Sequence, residues 1–92
     1  MNVRVTLAAQ ARDAAGRDAA VVALGSERTV RALLGALAAA HGEGLRRLLM
    51  RADGTPHPSV LVVVGDEQVP VDDPRELREG DPVTVMTPIA GG

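Results

Sequence analysis

The stretch TVRALLGALAAAHG, residues 29–42, predicts the one long helix of this chain. Its apolar side chains recur at the helical spacing i, i+3, i+4, i+7 and i+8, so they form a single stripe. The members of this stripe are Val30, Leu33, Leu34, Leu37 and Ala38. Thr29 is a suitable N-cap residue for the helix, and Gly42 supplies the stop.

The segment before the helix predicts two strands that pair antiparallel. Apolar and polar residues alternate over residues 3–7, which is the period-two pattern of a strand with one buried face. Residues 11–15 are expected to make a turn of helix before Gly16, which can adopt the positive φ of a chain reversal. Residues 19–24 then predict the second strand.

The segment after the helix predicts a short helix and further strands. Helical spacing over residues 45–49 is followed by a turn-rich loop at residues 53–58. Residues 60–64 have no polar interruption, which indicates a central strand covered on both faces, or on one face and by a partner. A short strand at residues 68–71 should lead into a helical turn over residues 72–77.

The last strand completes the predicted fold. Val83 and Val85 should face the helix, whereas Thr84 and Met86, which alternate with them, should point outward. The order is strand, strand, helix, strand, short strand and last strand, with no internal repeat. This order predicts an α+β protein with a β-grasp architecture, in which one main helix packs across a mixed sheet.

Length and composition exclude several classes of function. Ninety-two residues suffice for one small domain, expected at residues 1–87, and a flexible tail at residues 88–92. Phe, Tyr and Trp are absent, which excludes base stacking and aromatic cages. Cys is absent, which excludes thiol nucleophiles. The net charge is -2 and the arginines are spread along the chain, so neither nucleic acid nor a membrane is expected as a partner.

The N-terminal sequence and the longest apolar stretch indicate where in the cell the protein is expected. It alternates apolar and polar residues and shows no signal-peptide pattern. The longest uninterrupted apolar stretch, residues 60–64, is too short to span a bilayer. A cytoplasmic location is expected as the default.

The acidic side chains are expected to serve in turns and caps rather than in catalysis. Those in or beside predicted turns are Asp13, Asp18, Asp53, Asp66, Asp72 and Asp73. His41 precedes the helix stop and His57 lies between two prolines in a loop, so neither predicts a metal site.

The chemical feature of the sequence is its C-terminal tail. The tail consists of Pro88, Ile89, Ala90, Gly91 and Gly92. Glycines without side chains can thread a narrow channel and bring the terminal carboxylate against ATP in another protein's active site. Adenylation provides a good leaving group, which a sulfur nucleophile can then displace. The alternative is a frayed terminus with no role.

Three segments carry a resemblance to a known family. They are residues 11–16, residues 29–37 and, most specifically, residues 77–83, which read LREGDPV and lie just before the terminal PIAGG. The chain resembles the MoaD/ThiS/CysO family of ubiquitin-like sulfur carriers. The resemblance implies a carrier that is not itself an enzyme and binds no cofactor. It implies that an ATP-consuming enzyme of the ubiquitin-activating type adenylates Gly92, which becomes a thiocarboxylate that donates sulfide to a biosynthetic enzyme.

The resemblance also implies a surface that docks onto the activating enzyme. Ala8, Thr84 and Met86 occupy the corresponding outward face of adjacent strands, and residues 88–91 form the inserted tail. Members of the molybdopterin-synthase type often have aromatic residues near the position of Met86. This chain has none, and its loop at residues 53–58 is longer. Both departures favour a CysO-like or ThiS-like role.

Three alternatives remain open. The chain is the small, sulfur-donating subunit of molybdopterin synthase; or it modifies proteins by attaching Gly92 to a lysine, as ubiquitin does; or it is a β-grasp module whose sheet face alone binds a partner. The chain contains no Lys, so it could not build lysine-linked chains on itself.

Overall fold

Five strands and three helices make up the fold of the computed structural model, which describes residues 1–87. In chain order the elements are β1 (Asn2–Ala9), α1 (Gln10–Ala15), β2 (Ala19–Ala23), α2 (Val30–Ala40), α3 (Glu43–Leu49), β3 (Leu61–Val64), β4 (Glu67–Val69) and β5 (Val83–Thr87). The strand order in the sheet is β2-β1-β5-β3-β4. β1 and β5 are parallel and the other neighbours antiparallel, which confirms the β-grasp prediction.

The core lies between α2 and the inner face of the sheet. All five residues of the predicted helical stripe are buried, as are the alternate residues of β1 and β5 that were expected to face inward. Each large aliphatic side chain buried in this way contributes roughly 1.5–3 kcal/mol. None of the helices within residues 1–87 has both the length and the apolar character needed to cross a bilayer.

Both ends of α2 form as predicted. The Thr29 side-chain oxygen accepts a hydrogen bond from the Ala32 backbone nitrogen at 3.2 Å and so satisfies a free N–H of the first turn. The helix ends at Ala40, and Gly42 has a φ of 92°, where a glycine avoids the steric cost of a side chain. The chain then turns directly into α3.

The predicted helical turn over residues 72–77 is wrong. The Asp73 carboxylate accepts a hydrogen bond from the Arg75 nitrogen at 2.8 Å, which offers the backbone an alternative to helix. Pro74 also disfavours helical geometry at the residue before it. The chain instead runs beside the start of α2, where Glu76 bridges to Thr29 and the Leu77 nitrogen donates to the Arg28 carbonyl at 2.7 Å.

Of the two arrangements predicted for the apolar run at residues 60–64, a central strand covered on both faces is wrong for β3, whereas cover on one face and by a partner stays a prediction. This strand is second from the edge of the sheet, and Val62 and Val64 alone face the core. Leu61 is 36% exposed on the opposite face. The fold has a helical layer on only one side of the sheet, so an unbroken apolar run leaves apolar side chains on the uncovered side.

Candidate functional site

β5 places the predicted docking residues on the uncovered face of the sheet. It lies between β1 and β3, and the register sets Met86 opposite Ala8 on one side and opposite Leu61 on the other. Thr84 is two residues earlier on β5 and points to the same face. The structure thus brings Ala8, Thr84 and Met86 together, all partly buried, on the strand that leads into the tail.

Two residues that were not predicted from the sequence as part of the site enlarge this surface. Leu61 pairs with Met86 and Val63 pairs with Thr84, so both extend the outward face of β5 onto β3. The unbroken apolar run at residues 60–64 was the available signal, since a strand beside a single helical layer should alternate. We call Ala8, Leu61, Val63, Thr84 and Met86 the outer apolar patch. It is a continuous surface across three neighbouring strands.

The end of β5 forms the base of the tail. Thr87 is the last described residue; it is 2% exposed and lies opposite Ala9 at the end of β1. Its hydroxyl oxygen is buried and has no hydrogen-bond partner within the described part of the chain. Ala9 has a φ of 55° and a ψ of -133°, which is unusual for a residue with a side chain. The predicted site residues Pro88, Ile89, Ala90, Gly91 and Gly92 lie outside the described residues.

The two carboxyl groups with lowered pKa values, those of Glu43 and Asp53, are exposed and make hydrogen bonds within their own helix or turn. Arg46 donates a hydrogen bond to Glu43 at 2.7 Å, which holds the pKa of Glu43 below its usual value. The Thr55 hydroxyl donates to Asp53 at 2.6 Å and lowers the pKa of that carboxyl. These contacts confirm a turn role for Asp53. They place no acid–base pair at the outer apolar patch.

His57 and the residues that line one surface cavity lie in loops rather than on β5. His57 Nδ1 is 2.8 Å from the Ser59 hydroxyl in a surface loop. Within residues 1–87 no group of three or more histidines and acidic residues could hold a metal ion. A cavity of about 860 Å³ opens beside Arg28, Arg75 and Arg78, near the start of β5 rather than its end. Within the described residues, the predicted docking residues therefore form part of the uncovered face of the sheet.

The fold, with an apolar face on the strand that precedes a diglycine end, defines a small ubiquitin-like protein of the β-grasp class. The chain belongs to the ThiS family, whose family model matches residues 5–92. This confirms the resemblance to the ubiquitin-like sulfur carriers, which are carrier proteins rather than enzymes. The comparison with curated proteins finds no match.

Several solved structures share the fold of this chain. SAMP1 from Haloferax volcanii is 24% identical with a TM-score of 0.84, and the match covers 100% of both chains. A candidate molybdopterin converting factor, subunit 1, from Pyrococcus furiosus is 26% identical with a TM-score of 0.72, over 96% of this chain and 98% of that one. CysO from Mycobacterium tuberculosis is 23% identical with a TM-score of 0.62, over 94% and 98%. The similarities to SAMP1 and CysO show a common fold alone.

Proposed function

We propose that this chain is a sulfur carrier whose Gly92 is adenylated and then converted to a thiocarboxylate that donates sulfide in a biosynthetic reaction. The observation that carries the proposal is the family match, which extends through the diglycine to Gly92. The carrier acts as a protein co-substrate, and the ATP is bound and consumed by the activating enzyme. We include a cytoplasmic location in this proposal, together with that enzyme and a sulfur-accepting enzyme as partners.

The proposed chemistry needs no side chain of this protein. The Gly92 carboxylate attacks the α-phosphorus of ATP, pyrophosphate leaves, and an acyl-adenylate forms. With sulfide as the nucleophile, a C–S bond forms while the C–O bond to AMP breaks, and no change of oxidation state is required. A tail ending in glycine suits this chemistry because it presents little bulk around the reacting carbonyl.

The outer apolar patch is the proposed docking surface for the activating enzyme. Met86 lies on β5, the strand that precedes the tail, and is flanked by Ala8 and Leu61. Docking through these side chains would place the tail at a fixed distance from the partner's nucleotide site. Side chains at the well-packed, desolvated centre of an interface contribute most to affinity.

Intact-mass measurement tests the chemistry directly. The chain is incubated with its cognate activating enzyme, ATP and a sulfur source, and replacement of one oxygen by sulfur at Gly92 is the expected product. A variant lacking Gly92 should keep its original mass, whereas Arg28→Gln, changed far from the tail base, should react normally. The proposal fails if the full chain keeps its original mass while the same enzyme modifies another carrier.

One alternative function rests on a specific similarity. The Pyrococcus furiosus relative is a candidate molybdopterin converting factor subunit, and its 26% identity extends over nearly the whole of both chains. As the small subunit of molybdopterin synthase, this chain would form a stable heteromer with a larger subunit. Affinity purification from native extract followed by size-exclusion chromatography separates the two roles. A transient carrier should elute alone, whereas a synthase subunit should elute with its larger partner.

A further inference from the structure

The two edges of the sheet are protected very differently. The edge strand β4 has only three residues, carries Glu67 and Gln68, and is followed by Pro70. Short length, charge and proline are the usual means of preventing an edge from pairing with another chain. The opposite edge strand, β2, reads Ala-Ala-Val-Val-Ala and has none of these features. β2 is thus the edge that is open to pairing.

The hydrogen-bond pattern shows which groups of β2 are free. Met1 and Leu24 exchange hydrogen bonds of 2.9 and 2.7 Å, and the Leu7 nitrogen donates to the Asp18 carbonyl at 2.9 Å. In an antiparallel pair such bonded positions alternate, so residues 18, 20, 22 and 24 bond to β1. The backbone groups of residues 19, 21 and 23 therefore point away from the sheet. None of the loop and side-chain hydrogen bonds within residues 1–87 reaches them.

The same residues present their side chains on the uncovered face. The burial of β2 alternates, with Ala19, Val21 and Ala23 exposed and the residues between them buried. Val21 is 61% exposed, more than any other large hydrophobic residue among those described. It stands at the centre of the strand, so the free edge is symmetric about Val21 in both its backbone groups and its side chains.

We propose that β2 pairs antiparallel with β2 of a second copy of this chain, about a two-fold axis at Val21. This register sets Val21 opposite Val21 and Ala19 opposite Ala23, and each of these positions then exchanges a pair of backbone hydrogen bonds. The two valine side chains contact each other across the axis. The two sheets become one continuous sheet, and both tail bases remain free because Thr87 lies on β5, with β1 between it and β2.

The paired segment brings no like charges together. Arg17 and Asp18 precede β2, Glu27 and Arg28 follow it, and residues 19–23 carry no charge. In the register centred on Val21 these uncharged residues face each other, so no like charges stand directly opposite within the pair.

The extent of the contact predicts the strength of association. Pairing of one five-residue strand buries less surface than the ~1,200 Å² typical of stable complexes. The dimer should accordingly be weak and dependent on concentration. A second copy fits this edge better than an unrelated extended peptide, because the free backbone groups and the exposed side chains of β2 share a centre of symmetry at Val21.

Amide hydrogen exchange at low and high protein concentration tests the register. In the monomer the amides of Ala20 and Val22 are protected by β1, whereas those of Ala19, Val21 and Ala23 are not. At high concentration the second set should gain at least several-fold protection while the first set changes little. Unchanged exchange at residues 19, 21 and 23 in a sample that sedimentation shows to be dimeric would overturn the proposal, as would a chain that remains monomeric at millimolar concentration.

Matched charge substitutions test the location. Val21→Lys should abolish the dimer, because it places two ammonium groups together at the axis. Leu61→Lys introduces the same charge on the same face of the sheet but away from the β2 edge, and should leave dimerisation intact. Loss of the dimer in Leu61→Lys but not in Val21→Lys would assign association to the outer apolar patch and refute edge pairing. Removal of Gly91 and Gly92 should not affect the dimer, so this outcome is independent of the proposed sulfur chemistry.

Discussion

Ala9 and Thr87 lie opposite each other where β1 and β5 end, and each carries an energetic cost. The backbone of Ala9 adopts φ 55° and ψ -133°, a combination that favours glycine. The hydroxyl of Thr87 is buried without a hydrogen-bond partner in the described residues. These unfavourable features coincide at the residue that leads into the tail, and unfavourable conformations of this kind cluster at functional sites.

Thr87→Val should stabilise the protein. Valine keeps the shape of threonine but replaces the buried hydroxyl with a methyl group, which removes a desolvation cost of about 1 kcal/mol. Urea unfolding followed by circular dichroism measures the gain in the free energy of unfolding. Thr84→Val on the outward face of the same strand is the control and should change it little. A loss of stability in Thr87→Val would mean that the hydroxyl makes a stabilising hydrogen bond.

Ala9→Gly should also raise the free energy of unfolding. Glycine adopts the positive φ of this position without steric cost, and the relief of strain, about 1 kcal/mol or more, exceeds the entropy that glycine adds to the unfolded chain. Ala8→Gly is the matched control one residue earlier. In that regular strand position glycine should destabilise by roughly 0.5–1 kcal/mol. Equal destabilisation by both substitutions would argue against strain at Ala9.

Elements governed by local periodicity were predictable from the sequence, whereas the pairing of β3 with β5 was not. The spacing of Leu33, Leu34 and Leu37 sufficed to predict the buried face of α2, because a helix repeats its own pattern. The position of Leu61 beside Met86 depends on pairing between distant segments, which no local pattern encodes. For this reason Ala8, Thr84 and Met86 were predictable as one side of the outer apolar patch, whereas Leu61 and Val63 were not.

Competition between helix-capping and turn-forming side chains explains why the helical turn predicted at residues 72–77 is wrong. The segment at residues 72–77 contains side chains that can cap a helix, but Asp73 and Pro74 favour a turn and an extended backbone instead. The strain at Ala9 could not be predicted either, since alanine rarely adopts a positive φ. The assignment of residues 88–91 as the inserted tail, and of Gly92 as the adenylated residue, is still a prediction from the sequence and the family.

Loss of the N-cap of α2 should weaken the fold measurably. Thr29→Ala removes the side-chain oxygen that accepts from the Ala32 nitrogen and should cost about 1 kcal/mol in the free energy of unfolding. Thr29→Ser retains an oxygen in the same place and should restore most of the loss. Chemical denaturation of the three proteins under identical conditions provides the comparison. No difference between alanine and serine would show that the cap contributes nothing.

The ion pair at the start of α3 should be visible in the acid titration of Glu43. Arg46→Gln removes the hydrogen bond that is the main cause of the lowered pKa, so this pKa should rise toward its usual value. Arg47→Gln removes a weaker influence and should raise it less. Because the folded pKa is the lower one, the stabilisation by this pair is present above the unfolded pKa and is lost as pH falls through the folded pKa. Carboxyl chemical shifts measured against pH distinguish the two variants.

The outer apolar patch should determine the rate of activation rather than the stability of the fold. Met86→Lys and Leu61→Lys place a charge on neighbouring residues of this patch, and each should lower kcat/KM for adenylation by roughly thirtyfold, the effect of losing about 2 kcal/mol at an interface centre. Val21→Lys adds the same charge to the same sheet face two strands from β5 and should leave kcat/KM unchanged. If all three variants lose activity equally, net charge rather than docking is responsible. If Val21→Lys alone is impaired, the activating enzyme binds at the β2 edge, and the patch has another partner.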